Sequence, residues 1–308
     1  MQKILPPHQT NPNFLRPLHS TCPRTAPPVS LKQHYSTPAL LQRISASLPA
    51  SVDRSTCTSK DLAGSDQFHI GGAKSALKLF SKLELAPGDV VLDAGCGLGG
   101  PARTASAEFG CEVRGVDLSQ EYVECGNELS SWPQIEESLR GKVALTAGDV
   151  TSMPVADESV DKGYMLHVGM NIEDKEGLAR EMFRVLRGGG VFGIFDMVAP
   201  GGRAGGNRGA LRLPLPFASE PEHAFLESPE NYIEAFTGAG FVLLDAECMT
   251  SYCVDAIRKS AGKKGGRGGA GIVMGEDVGQ KMKNVLEMFE AGEMHAHMLV
   301  FGKVNNEG

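Results

Sequence analysis

The stretch Asp93-Ala-Gly-Cys-Gly-Leu-Gly-Gly100 limits the possible folds of this chain more than any other feature. The apolar run Val90–Asp93 before it reads as a buried strand, and Pro101–Phe109 after it reads as a helix with proline in its first turn. Glycines between a strand and a helix allow a tight turn and bring a ligand close to backbone N–H groups. The same rhythm continues downstream. Glu112–Asp117, Lys142–Ala147, Val160–Met165 and Val191–Met197 read as strands, and Gln120–Ser130 and Lys175–Leu186 as helices, the second halted by Gly188–Gly190. Alternation at this spacing predicts a parallel sheet with helices on both faces. A helix near Glu230–Thr237, a strand from Phe241, a helix Val278–Glu290 and a strand His297–Phe301 close the chain.

Two segments break the rhythm. Pro200–Phe225, rich in Gly, Pro and Arg, is too long for a simple connection. Ser260–Gly271, with Lys263 to Arg267, reads as a surface loop. The leader differs in chemistry from the rest. No acidic residue precedes Asp53, while Lys3, Arg16, Arg24, Lys32 and Arg43 are all basic. A basic, acid-free, Ser/Thr/Pro-rich leader over residues 1–33 reads as a transit peptide for a chloroplast or mitochondrion, or as a disordered tail of a cytoplasmic protein. Residues 34–82 then form an N-terminal helical lid that starts near Pro38–Ile44, and residues 83–308 the main domain, with cap insertions near 200–225 and 250–292.

Charge and cysteines narrow the function classes. A net charge of −7 argues against a general nucleic-acid binder, and no apolar run reaches the roughly 18–20 residues needed to span a bilayer. The seven cysteines form no CxxC or Cys/His array, so neither a structural metal nor a disulfide framework is expected. The expected partner is a small molecule, bound by a monomer or homodimer.

The glycine loop alone leaves the ligand open. Gly95, Gly97 and Gly100 satisfy GxGxxG, and Asp117 lies 20 residues beyond Gly97, as a ribose-binding acid in a dinucleotide site would. Three details favour another ligand. Asp93 ends the first strand, where a carboxylate would oppose a diphosphate but suits a cationic methionine moiety. Asp149 follows the third strand, placed to accept from an adenine amino group. Leu166-His-Val-Gly-Met-Asn171 follows the fourth strand, at the edge where open α/β sheets bind ligands.

On these residues the chain resembles the class I S-adenosylmethionine-dependent methyltransferases, over roughly Gln67–Phe301. The loop Asp93–Gly99, Asp117, Gly148-Asp149 and the turn Arg184–Gly190 match in order. Asp66–Gly72, Cys96–Arg103 and His167–Ile172 look like a narrower group that includes sarcosine/dimethylglycine methyltransferase-like proteins, near the tocopherol and quinone methyltransferases. The resemblance implies a doubly wound, seven-stranded Rossmann-like α/β sheet with a helical cap, and S-adenosyl-L-methionine as cofactor. Carried over by position, Gly95, Cys96 and Gly97 would approach the methionine part, helped by Asp93. Asp117 would take the ribose hydroxyls, Leu118 and Val150 the adenine faces, and Asp149 its amino group. Leu166 would border the cofactor and Gln67 would close over it. Arg103 is either structural or faces the cofactor carboxylate. Arg187-Gly188 departs from the family, which usually has a proline there.

A hydroxyl or ammonium acceptor must lose a proton, so a base is sought. His167 is the catalytic candidate, with hydrogen bonding to cap backbone as its plainer reading. His69, Met170, Asn171, His223 and Tyr252 are the substrate-side candidates, and Phe225 lies where a cap would cover the acceptor. Arg203, Arg208 and Arg212 either form a solvated loop or recognise an acceptor carboxylate. The leading expectation is methyl transfer to a small carboxylated N- or S-nucleophile, a sarcosine- or dimethylglycine-type amine or a methylthio acid of an osmolyte pathway. The alternatives are C-methylation of a prenylated phenol or quinone, an NAD-dependent oxidoreductase, and a non-catalytic methyltransferase-like subunit.

Overall fold

The computed structural model describes residues 39–201, 211–261 and 270–304. The leader 1–33, Arg203, Arg208 and the Lys263–Arg267 run lie outside the described residues. Three helices come first: α1 (Leu40–Ser47), α2 (Ser59–Asp66) and α3 (Ala73–Lys82). The alternating part follows as β1 (Val90–Ala94), α4 (Gly100–Phe109), β2 (Glu112–Asp117), α5 (Gln120–Ser130), α6 (Pro133–Ser138), β3 (Val143–Ala147), β4 (Val160–Leu166), α7 (Lys175–Val185) and β5 (Leu186–Val198). The chain ends with α8 (Pro229–Gly238), β6 (Phe241–Cys248), α9 (Thr250–Ala261), α10 (Ala270–Met274), α11 (Val278–Glu290) and β7 (His295–Lys303).

The seven strands lie in the order β3-β2-β1-β4-β5-β7-β6. Strands β1 to β5 pair in parallel, whereas β7 runs antiparallel to both β5 and β6. The expected parallel sheet is therefore mixed: β7 comes back along β5 from α11 rather than through a right-handed crossover. The order reverses direction between β1 and β4, which leaves a crevice at the carboxyl ends of those strands.

Successive side chains on each strand face opposite ways, which gives the sheet two cores. Val91, Tyr164 and Phe195 pack on one face with α3 residues Leu79 and Phe80 and α11 residues Val285 and Met288. Leu92, Met165 and Ile194 pack on the other with α7 residues Leu178 and Met182 and α8 residue Phe236. Met165 is thus core, while Tyr164 donates from within the first core to Asp93 at 3.0 Å.

The structure redraws two boundaries. Helix α7 stops at Val185, and β5 begins at once with buried Leu186 paired to Val160. Exposed Arg187, Gly188 and Gly189 bulge out of the ladder before pairing resumes between Lys162 and Val191. The segment read as a loop is helical at both ends. Cys253 and Ile257, one turn apart and buried, hold α9 through Ala261, and α10 packs Ile272 and Val273 onto the cluster beneath α1. Among the described residues, no helix is long and apolar enough to cross a membrane.

Candidate active site

A cavity of about 720 Å³ opens at the carboxyl edge of the sheet, over the β1–β4 crevice. One half is built from the ends of β1, β2 and β3. Asp93, Gly95, Cys96, Gly97, Asp117, Leu118, Asp149 and Val150 all line it. The loop geometry explains the glycines. Gly95 has φ +80°, and a Cβ there would lie 2.3 Å from Val168, so loop and β4 turn meet backbone to side chain. Cys96 is buried, with its thiol pushed well up by burial, which leaves it unreactive.

The three carboxylates differ in their surroundings. Asp93 is almost fully buried, and burial pushes its carboxyl up to about 8 against the lowering hydrogen bond from Tyr164. Asp117 accepts N–H bonds from Gly97 at 2.8 Å and Ser119 at 2.9 Å, and withdrawal from solvent raises it despite them. Asp149 accepts from the N–H and hydroxyl of Thr151 at 2.8 and 2.7 Å. Acceptors dominate this half. They suit a ligand rich in donors, such as an ammonium, a ribose diol and an adenine amino group. A diphosphate fits poorly, because Asp117 already takes the Gly97 N–H that would otherwise face it. The residues present therefore fit S-adenosylmethionine better than a dinucleotide.

The other half lies beyond β4. Leu166, Met170, Met197, Phe217 and Phe225 supply apolar wall, and His69, His167, Asn171 and Ser219 polar atoms, with Glu173 and Asp174 after the β4 turn also on the wall. His167 sits at φ +55°, an uncommon backbone for a non-glycine residue, with its N–H donating to the Phe195 carbonyl at 2.8 Å. Its ring lies 4.6 Å from Phe195 and edge-on to His69 at 6.3 Å between centroids. The His167 Nε2 is buried and makes no hydrogen bond. Burial, with His69 beside it, pulls this imidazole well below 6.5, and burial takes His69 down to about 4. Both rings are neutral near pH 7. The His69 Nε2 faces the Gly72 carbonyl at 2.9 Å, so Nε2 carries the proton and Nδ1 is left as an acceptor.

Several expected residues do other work. Gln67 is not part of the cavity wall; its Nε2 donates to the Thr104 hydroxyl at 3.3 Å, because α2 ends with this side chain turned toward α4. Tyr252 lies outside the wall too, its ring packed on the turn at Gly71, where a Cβ would come within 2.7 Å of it. His223 is not part of the wall; its carbonyl accepts from Asn171 Nδ2 at 3.0 Å. Asn171 also donates to the Phe217 carbonyl at 2.8 Å, so it ties the cap to the turn after β4. Arg103 is fully buried on Asp66 at 2.8 Å and Ser130 at 3.0 Å, a structural role. Arg212 is spent on Glu287 and Glu293 at the surface.

The structure adds wall residues that sequence reasoning did not single out. Phe68 and Tyr122, with ring centroids 6.2 Å apart, border the acid-bearing half, and Ile272, Val273 and Met274 of α10 reach it from the C-terminal segment. Phe68 was open to detection, since it stands inside the Asp66–Gly72 motif. The α10 residues carry no local signal, because their place depends on packing from some 200 residues away.

Residues 92–194 match the family model of a methyltransferase domain. The chain is 33% identical over 117 residues to sterol 24-C-methyltransferase erg6 of Schizosaccharomyces pombe, covering 38% of this chain and 30% of that protein. Two solved structures share the fold. Geranyl diphosphate C-methyltransferase from Streptomyces coelicolor A3(2), in complex with S-adenosyl-L-homocysteine, superposes with TM-score 0.59 at 21% identity, over 75% of this chain and 80% of that one. A putative sarcosine dimethylglycine methyltransferase from Galdieria sulphuraria gives TM-score 0.59 at 18% identity, over 75% and 86%. The chain spans half or less of the length of the first curated relatives it matches.

Proposed function

We propose that this chain, whose residues 92–194 match the family model of a methyltransferase domain, is a class I S-adenosylmethionine-dependent methyltransferase that methylates a small molecule with an apolar body, of the prenylated phenol or quinone kind. The observation that carries this reading is one cavity joining two unlike halves. Acid-bearing strand ends would hold the cofactor, and an apolar chamber with two neutral imidazoles would hold the acceptor.

When bound, S-adenosylmethionine supplies an electrophilic methyl group on a sulfonium. The chain's own part is positional. Asp93 would face the cationic methionine end, Asp117 the ribose and Asp149 the adenine amino group. Met170, Met197, Phe217 and Phe225 would exclude water from the acceptor and hold its body. His167, uncharged and without a partner on Nε2, would receive the proton of a phenolic hydroxyl. The leader, read as an organellar transit peptide, agrees with such an acceptor.

A second reading keeps the small carboxylated amine or thioether. Arg43 lines the cavity and would offer a cation for an acceptor carboxylate. Incubation of the chain with methyl-labelled cofactor and a panel of prenylated phenols, amines and thioethers separates the two. Label on a phenol supports the first reading, and label confined to a carboxylated amine or thioether replaces it with the second.

A further inference from the structure

We propose that Lys175 and Asp196, neither of which lines the cavity, are positioning residues that fix the acceptor-side turn and the cap from behind. The inference rests on the reading of the chamber as the acceptor site.

Lys175 opens α7 and is buried. Its ammonium donates to the carbonyls of Gly169 at 2.9 Å, Phe225 at 2.8 Å and Ile172, and stands 5.3 Å over the Tyr232 ring. Gly169 and Ile172 bracket the turn that carries Met170 and Asn171 into the cavity. Phe225 belongs to the cap, lines the same cavity and donates its N–H to the Met170 carbonyl at 2.7 Å. One buried cation thus holds both partners of the contact that closes the chamber.

Asp196 completes the arrangement from β5. Its carboxylate accepts from the Tyr232 hydroxyl at 2.6 Å and the Met197 N–H at 2.9 Å, and the Met170 N–H also bonds to it. The turn packs directly on this network: a Cβ on Gly169 would lie 2.3 Å from the Tyr232 hydroxyl and 2.5 Å from Asp196 Oδ2. Removing a lysine and a carboxylate from water is costly, and an apolar pair of similar volume would fill the space at less cost. Apolar side chains, though, would take the ammonium donor from the Gly169, Ile172 and Phe225 carbonyls and the carboxylate acceptor from the Met170 amide. The charges therefore serve placement of the turn rather than stability.

The experiment compares Lys175→Met, Asp196→Asn and Gly169→Ala with the wild-type chain. S-adenosylhomocysteine affinity comes from calorimetry, acceptor KM and kcat from the panel compound that the wild type methylates, and backbone amide exchange is followed at residues 169–172 and 217–226. The expected result for Lys175→Met is S-adenosylhomocysteine affinity within about twofold of wild type, an acceptor kcat/KM lower by tenfold or more, and faster exchange in those two segments alone. Gly169→Ala, which leaves every charge in place, gives the same pattern, and Asp196→Asn an intermediate one. Unchanged acceptor kinetics and exchange overturn the proposal. So does a loss of S-adenosylhomocysteine affinity equal to the loss in kcat/KM, which marks a general structural role. Cofactor affinity and exchange are read without an acceptor, so a wild type that methylates nothing refutes the functional reading while the exchange arm still decides this one.

Discussion

Asp93 meets its ligand as an acid. With its carboxyl pushed up to about 8 by burial, it is mostly protonated at pH 7 in the ligand-free protein. A cationic methionine moiety favours the carboxylate, so binding below about pH 8 must expel a proton. Affinity for S-adenosylhomocysteine is expected to rise with pH and level off near 8. Calorimetry in two buffers of different ionisation enthalpy should show the release, and Asp93→Asn should abolish it. The same raised value has a stability consequence. Because the folded state holds this proton more tightly than the unfolded state, the ligand-free protein loses stability as pH rises from about 4 to 8. His167 carries the opposite sign. Its value lies well below 6.5, so the imidazole stays an unprotonated base through the neutral range. The pH–rate profile should show no falling limb at 6–7 from this group. Substitution His167→Ala should cost about 10²- to 10⁴-fold in turnover, the usual worth of a general base, with S-adenosylhomocysteine affinity kept. Turnover that survives this change would remove His167 from the chemistry.

At the scale of elements, the cofactor half depends on how closely the β1 loop approaches the turn after β4. Gly95→Ala places a Cβ 2.3 Å from Val168 at φ +80°. It is expected to cost about 1–3 kcal/mol of stability, as forced backbone does, and to weaken S-adenosylhomocysteine binding. Denaturant unfolding and calorimetry read the two effects separately. This half was the legible part of the sequence. Asp93, Asp117 and Asp149 stand at or just past the ends of β1, β2 and β3, and a parallel sheet brings its strand ends together whatever the helices do. The acceptor half was not legible in the same way. His223 and Tyr252 have suitable chemistry near suitable motifs, but packing turns Tyr252 to Gly71; on the cofactor side, Gln67 is likewise turned away, to Thr104. Gly188–Gly190 looked like a helix stop, but Arg187–Gly189 form a bulge, since Leu186 is buried as the first residue of β5. Which side chains line a chamber made of loops and a cap is decided by contacts distant in sequence, and no periodicity encodes them.

Across the whole molecule, the sheet places the donor and acceptor halves on either side of the β1–β4 reversal, and the N-terminal helices, the 211–226 segment and α10 roof them. The reversed β7 leaves this crevice untouched, because it joins the sheet beyond β5. A glycine loop of this shape also serves dinucleotide enzymes, so the central claim is that the three acids, rather than the glycines, select the ligand. The direct measurement is titration calorimetry of the wild-type chain and Asp117→Ala with S-adenosylhomocysteine and with NAD. Hydrogen bonds to a charged group are worth about 1.5–3 kcal/mol each. The account expects S-adenosylhomocysteine to bind the wild type, to bind Asp117→Ala at least about tenfold more weakly, and NAD to bind neither. NAD binding to the wild type, or equal S-adenosylhomocysteine affinity in both proteins, would contradict it.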